Sequence, residues 1–279
     1  MAEFISYGGG VQSTAILTLL LKEPHLFSYP LPDLILFADT GAEPPQIYQT
    51  VDKMFSLLRD AGFQCETVYA TNSNGDRMTI LDLPLPGRKS GGLTTPPWFI
   101  RNPDGSTGMS QRHCTQDFKI NPITKRIREY LGVEPTKRVK GKHGLWLGIS
   151  VDEIQRAKPS LFPWQETRFP LIDLRWNRTD CALYVYKHLG FVPAKSACYM
   201  CPFINEKEWM RRKQYEPELF AMAVAVDQKI RDVPPCTFGL NGTPYLHRSC
   251  QPIADISPQL NLFDSAVITE KDCGGHCWS

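Results

Sequence analysis

Apolar positions in the first 70 residues alternate between two periods. Glu3–Ser6 (EFIS) and the unbroken apolar run Leu34–Ala38 (LILFA) have strand length, and the second suits a strand covered on both faces of a parallel sheet. Cys65–Ala70 reads as a third strand. Between the strands the period lengthens. A helix is expected from about Gln12 to Leu21, and another over Pro44–Gly62, where Ile47, Val51, Met54, Phe55 and Leu58 fall at helical spacing before Gly62 ends it. Strand, helix, strand, helix, strand at this pitch predicts an α/β fold with a doubly wound, mostly parallel sheet.

The rhythm breaks after residue 83. Prolines 84, 86, 96, 97 and 103 and glycines 87, 91, 92, 105 and 108 predict an irregular loop insertion over 84–110, a length typical of functional lids. Beyond it the pattern predicts a helix over Phe118–Leu131, started or interrupted near Pro122, a strand over Leu145–Ile149 and a helix over Thr179–Leu189. Glu206–Arg231 is largely helical, and Pro217 must kink or split it. The last 45 residues carry Pro, Gly and Cys without clear periodicity. The expected division is a first domain over 1–204 and a helical, Cys-rich C-terminal extension over 205–279.

Hydrophobic residues at 42% and charged residues at 22% exclude a disordered or collagen-like chain. The apolar run Ala15–Leu21 is too short to span a bilayer and lacks a cleavage-site pattern, so a soluble, cytoplasmic protein without a membrane partner is expected. The net charge of +2 is unevenly placed. Between Arg112 and His143 there are nine Lys/Arg against three acids, a local +6, and the rest of the chain sums to −4. Such a segment points to a polyanion, either nucleotide phosphates or nucleic acid, with a solvated helix face as the alternative. Nine cysteines in a reducing compartment point to metal binding or thiol chemistry rather than a disulfide framework. Cys65, Cys181 and Cys236 are assigned to inert burial.

Candidate chemistry begins at Tyr7-Gly8-Gly9-Gly10-Val11-Gln12-Ser13, between the first strand and the first helix. Three glycines let the backbone approach a ligand, and the amides of the helix start, with the Ser13 hydroxyl, form an anion site. The run is neither a Walker loop nor a dinucleotide GxGxxG. A second constellation is Cys114 with Cys198-Tyr199-Met200-Cys201-Pro202. CxxC before proline is a common metal-thiolate spacing, because two thiolates on one turn reach one centre.

The glycine run resembles the PP-loop (SGGxDS) of the adenine-nucleotide α-hydrolase superfamily, with Gly9, Gly10 and Ser13 matching, Gly8 in place of the first Ser and Gln12 in place of the Asp. Along residues 6–276 the chain is similar to the phosphoadenosine-phosphosulfate (PAPS) and adenylyl-sulfate reductase branch. Asp39-Thr40-Gly41 with Glu43, Pro44, Pro45 and Tyr48 resembles DTG-x-x-x-PETY. Cys114, Lys119 and Pro122 resemble C-x-x-x-K-x-x-P. Leu147-Gly148-Ile149 with Glu153 and Arg156 resembles GiRxxxSxxR, and Pro170–Asp173 with Trp176 and Tyr186 resembles PLxDW…Y. Cys198 and Cys201 fall at the family's CxxC, and Cys273-Gly274-Gly275-His276 resembles its C-terminal ECGxH.

The resemblance implies a sulfonucleotide-reductase-like enzyme with a nucleotide-binding domain over 1–204. Gly8, Gly9, Gly10, Gln12 and Ser13 would cradle phosphate or sulfate, and Asp39, Thr40, Gly41, Lys119, Gly148 and Arg156 would line the crevice. Arg126 and Arg128 are further phosphate candidates. The bound nucleotide would be ATP, PAPS or adenylyl sulfate, with Mg associated. Cys273 would be the nucleophile that takes the sulfonate, its pKa lowered by Lys271 and His276, and a thioredoxin-like reductant would release sulfite. Cys114, Cys198 and Cys201 would hold a [4Fe-4S] cluster, with Zn, a redox dithiol, or a fourth thiolate from Cys250, Cys273 or Cys277 left open. Two further readings remain. One is an ATP-dependent thiolation enzyme that takes sulfur from a donor and acts on nucleic acid through segment 112–143. The other is a non-enzymatic nucleotide-binding protein, to which Gln12 points.

Overall fold

The structure, a computed structural model, describes residues 1–82 and 96–257. Along the chain the elements are β1 (Glu3–Tyr7), α1 (Val11–Lys22), β2 (Leu34–Asp39), α2 (Pro45–Asp60), β3 (Cys65–Thr71) and β4 (Arg77–Met78). Then come β5 (Phe99–Arg101), β6 (Thr107–Met109), α3 (Asn121–Tyr130), β7 (His143–Leu147), β8 (Gln165–Arg168) and a single turn, α4 (Pro170–Asp173). The chain continues with α5 (Arg178–Leu189), α6 (Glu206–Tyr215), α7 (Pro217–Asp232) and β9 (Thr243–Tyr245). Of the described residues, 1–78 with 118–196 form one compact unit, and 79–82, 96–117 and 197–257 a second.

The first unit is built on a sheet of order β4-β3-β2-β1-β7-β8, in which every pair is parallel except β3 with β4. The apolar run of β2 follows from two covered faces. Ile35 and Phe37 enter the layer of α1, α2 and α5, whereas Leu34, Leu36 and Ala38 enter the layer of Ile123 and Ile127 from α3. The neighbours divide the same way, Ile5, Tyr7 and Trp146 to one layer and Phe4, Leu145 and Leu147 to the other. Successive side chains of a strand point to opposite faces, so helices on both sides require apolar residues at every position. The expected doubly wound, mostly parallel α/β architecture is what the chain adopts.

One buried charge is built into this sheet. The Glu3 carboxylate is fully buried, accepts from Trp146 Nε1 at 2.8 Å and faces Arg168 at 3.5 Å. Gly144, opposite Glu3 in the β1–β7 ladder, leaves the room: a Cβ there would lie 1.8 Å from the carboxylate.

In the second unit β5 joins β6 and β9 in a three-stranded antiparallel sheet. Gly242 lets β9 approach, since a Cβ would stand 2.4 Å from the Arg101 carbonyl oxygen. Trp98 is fully buried edge-on to Phe238, with ring centroids 4.7 Å apart. Asp227 of α7 is buried and accepts from the amides of Leu246 and Ile253 while pairing with Arg231, so one carboxylate fixes two segments of the C-terminal chain.

Several expectations shift. The stretch 84–110, expected to be irregular, contains the β5–β6 hairpin within its described part. Three-residue strands are too short to show a period. Polar β8 (QETR) and short β9 were hidden for the same reason. The strand expected at Leu145–Ile149 begins two residues earlier and ends at Leu147. Pro217 splits the 206–231 segment and stands at the first position of α7, where its missing N–H costs no hydrogen bond. Among the described residues no helix is long and apolar enough to cross a membrane.

Candidate functional site

In the first unit the chain runs outward from β1 through β2 to β3 on one side and through β7 to β8 on the other. The order reverses beside β1. In open α/β sheets ligands bind at such a point, outside the carboxyl ends of the strands. Three predicted segments meet this condition: Gly8–Ser13 after β1, Asp39–Gly41 at the end of β2, and Gly148 after β7.

The glycine loop is held by its own serine. The Gly8 amide donates to Ser13 Oγ at 3.3 Å, and Ser13 Oγ donates to the Gly10 carbonyl at 3.2 Å. Gly9 has φ +72°, and a Cβ on it would lie 2.7 Å from Ile47 Cγ2 of α2, so both conformation and space demand glycine. Gly148 packs directly on the loop: a Cβ there would lie 2.7 Å from the Ser13 nitrogen.

The amino terminus of α1 is uncapped. Gly10 supplies no side chain, no acidic residue occupies the first turn, and the first cap bond is Thr14 N–H to the Gly10 carbonyl at 2.9 Å. The amides of Val11, Gln12 and Ser13 have no acceptor among the described residues, although all three residues are buried. Two helices carry side-chain caps, a capping box of Asn177 and Asp180 on α5 and Asn205 on α6. Helices α2, α3 and α7 lack one but have proline at their first or second position, which removes one of the amides to be satisfied; α1 has neither a cap nor a proline. A buried helix start without a protein acceptor is what an anion satisfies.

Gln12 is buried and bound on both sides. Its Nε2 lies 3.5 Å from Ser150 Oγ, and its Oε1 accepts from Arg178 at 3.4 Å. Arg178 is itself fixed by its amide donating to Asp152. Ser196 also faces the loop, its Cβ 3.3 Å from the position of a Cβ on Gly10. Sequence reading missed Ser150, Arg178 and Ser196. They lie more than a hundred residues from the loop, and nothing local marks them.

Asp39, expected in the crevice, has its carboxylate occupied. It accepts from the Gly41 amide and the Tyr48 hydroxyl, each at 2.8 Å, and pairs with Arg77 at 2.6 Å. Burial, then the bond to this carboxylate, pushes the Tyr48 phenol well above its ordinary range. Thr40 accepts from the Ala42 amide and donates to Glu43, and Lys119 pairs with the same buried Glu43 at 3.2 Å. Arg156 pairs with Glu153 on the turn Val151–Arg156. Of the phosphate candidates on α3, Arg126 pairs two-pronged with Glu66, and Arg128 binds carbonyls of the following loop.

The candidate thiols Cys114, Cys198 and Cys201 are all half-buried and belong to the second unit. Cys198 and Cys201 share one turn, closed by the Cys201 amide on the Cys198 carbonyl at 3.0 Å. Arg212 of α6, itself buried, holds that turn by donating to the Tyr199 carbonyl at 2.9 Å and pairs with Glu208.

The chain is similar to two solved structures. One is the phosphoadenylyl-sulfate (PAPS) reductase from Candida auris in its phosphate complex, with 14% identity, TM-score 0.37, and 67% of this chain and 72% of that one covered. The other is the U34-tRNA thiolase NcsA from Methanococcus maripaludis with its [4Fe-4S] cluster, with 11% identity, TM-score 0.39, and 84% and 74% covered. No protein-family model and no curated protein matches.

Among the described residues no three His, Cys, Asp or Glu side chains form a group that could hold a metal ion. Of the fourth-ligand candidates, Cys250 is buried with its thiol pushed up by burial. The candidate nucleophile Cys273, with Lys271, His276 and Cys277, lies outside the described residues. Of the cysteines assigned to inert burial, Cys65 and Cys181 are buried, whereas Cys236 is exposed on the short turn Pro235–Phe238.

Proposed function

We propose that the Gly8–Ser13 loop binds the phosphate or sulfate oxygens of an adenine nucleotide and that the protein is an enzyme of sulfur chemistry on that nucleotide. The observation that carries this reading is the buried, uncapped start of α1 at the switch point, with three amides lacking an acceptor among the described residues. Each such amide would gain a charge-assisted hydrogen bond to an oxyanion. Arg178, joined to the loop through Gln12, supplies positive charge without a carboxylate beside it in the glycine run. The choice of an adenine nucleotide comes from the sequence resemblance.

In the reaction that resemblance implies, the Cys273 thiolate attacks the sulfonate sulfur. An S–S bond forms, the S–O bond to the nucleotide breaks, and the nucleotide leaves with the electron pair. A dithiol reductant of the thioredoxin class then reduces the S-sulfocysteine, releasing sulfite and becoming a disulfide.

The test is calorimetric titration of the full chain with ATP, PAPS and adenylyl sulfate, followed by sulfite assay with a thioredoxin-class dithiol. The reading expects saturable binding of a sulfonucleotide, and sulfite release that Cys273→Ser abolishes. ATP binding with sulfur transfer to an acceptor would favour the thiolation reading instead. Binding without turnover of any of them would leave a nucleotide-binding protein.

A further inference from the structure

The chain between α3 and β7 forms a pocket of about 480 Å³ at the amino-terminal edge of the parallel sheet, the edge opposite the glycine loop. Leu131, Val133 and Val139 line it with apolar surface, and Lys137, Arg138 and Lys140 with positive charge. Glu134 is the only acid in its wall.

The loop is set in advance of any ligand. Arg128 donates to the carbonyls of Glu134, Pro135 and Lys137. His143 Nδ1 accepts from the Ala2 amide at 3.2 Å, which leaves Nε2 as the donor to the Lys140 carbonyl at 3.1 Å. Gly132 and Gly141, with φ +65° and +77°, turn the chain at either end. One guanidinium and one imidazole are thus committed to shaping a loop whose own cations face solvent. Lys137, Arg138 and Lys140 are exposed, and none makes an ion pair among the described residues. Lys142, the next cation, directs its ammonium to the Pro163 carbonyl.

We propose that this loop is a nucleic-acid-binding surface that takes the phosphodiester groups of a strand. A site for one small anion converges its donors on a point. Here the cations follow one another along an exposed loop, an arrangement suited to successive phosphates. The pocket as a whole falls within the roughly 300–1,000 Å³ range of small-ligand sites, and its apolar wall of Leu131, Val133 and Val139 suits an unstacked base. The surface is independent of the nucleotide loop. The five residues of β7, at about 3.3 Å each, separate the two edges. It therefore anchors a strand rather than reacting with it.

The experiment is fluorescence anisotropy of labelled single-stranded RNA and DNA of mixed sequence with the full chain, at about 50 and 200 mM salt. The wild type is expected to bind at the lower salt, with affinity falling steeply at the higher. The triple variant Lys137→Ala, Arg138→Ala, Lys140→Ala is expected to bind at least tenfold more weakly, with a salt slope smaller by about 2, near 0.7 per removed contact. These side chains are exposed, and an unchanged thermal midpoint checks the fold. Calorimetric titration of the same variant with adenylyl sulfate separates the two sites, and nucleotide affinity equal to that of the wild type is expected. Absence of oligonucleotide binding by the wild type at low salt overturns the proposal. So does a variant with wild-type affinity and slope, or one that loses adenylyl sulfate binding while keeping oligonucleotide binding.

Discussion

Replacing Gly148 by alanine tests whether the carboxyl end of β7 sets the shape of the glycine loop. The added methyl would lie 2.7 Å from the Ser13 nitrogen, 2.9 Å from its Cα and 3.0 Å from its Cβ, where ordinary contacts begin near 3.4 Å. The nearest two are backbone atoms, so no rotamer change relieves them. The first turn of α1 must move by about 0.7 Å, and overpacking of this kind costs about 1–3 kcal/mol. For a chain of this size that lowers the thermal midpoint by roughly 2–10 °C. The effect on binding follows from the same displacement. An amide–oxyanion bond of about 2.9 Å stretched by that amount leaves hydrogen-bonding range. Losing one charge-assisted bond worth about 1.5–3 kcal/mol weakens binding roughly ten- to hundredfold. Thermal melts and calorimetric titration with adenylyl sulfate measure both effects. Gly108→Ala serves as the control, because a Cβ there meets nothing within 4 Å. A Gly148→Ala protein with wild-type nucleotide affinity would refute the reasoning, whatever its stability.

Burial raises Cys65 to about 11 and Cys181 to about 12, so both thiols should resist maleimide at pH 8 while exposed Cys236 reacts, as peptide mapping by mass spectrometry would show. Early labelling of Cys65 or Cys181 would contradict their burial. In the second unit, burial alone would raise Glu208, but its bonds from Arg211 and Arg212 outweigh burial and hold it below the ordinary value of 4.5. A lowered folded-state pKa contributes stability that is present above the unfolded value and lost as pH falls through the folded one. Thermal midpoints should therefore drop in the acid range, and Glu208→Gln should flatten that dependence; parallel pH curves for the two proteins would rule out the contribution. Arg212→Met leaves Glu208 its bonds from Arg211 but frees the Tyr199 carbonyl, and a loss of about 1–3 kcal/mol is expected from leaving that acceptor unsatisfied. Chemical denaturation reads that cost, and a change under about 1 kcal/mol would show that the Cys198–Cys201 turn does not depend on this arginine.

The central sheet was legible because its strands are covered on both faces. Leu34–Ala38 is apolar at every position for that reason, and helix α2 announced itself through Ile47, Val51, Met54, Phe55 and Leu58 at helical spacing. Short β5, β6, β8 and β9 were not legible, since three or four residues carry no period and their pairing is set by distant partners. At the candidate site the glycine loop could be read from its place between strand and helix. Its supports could not: Ser150, Arg178 and Ser196 come together only when the sheet closes. Charge misled where it was read as a single block. Of the basic segment, Lys119 and Arg126 are taken up by Glu43 and Glu66, Arg128 holds backbone carbonyls, and the exposed cations gather at the other edge of the sheet.

The most direct measurement is hydrogen–deuterium exchange of the full chain with and without adenylyl sulfate, resolved by mass spectrometry to peptides covering residues 8–13. The amides of Val11, Gln12 and Ser13 should exchange more slowly once the nucleotide supplies acceptors, while peptides from the loop around Lys137–Lys142 stay unchanged. Nucleotide bound by calorimetry with no protection at residues 8–13 would show that the anion sits elsewhere and that the uncapped start of α1 is not its cradle.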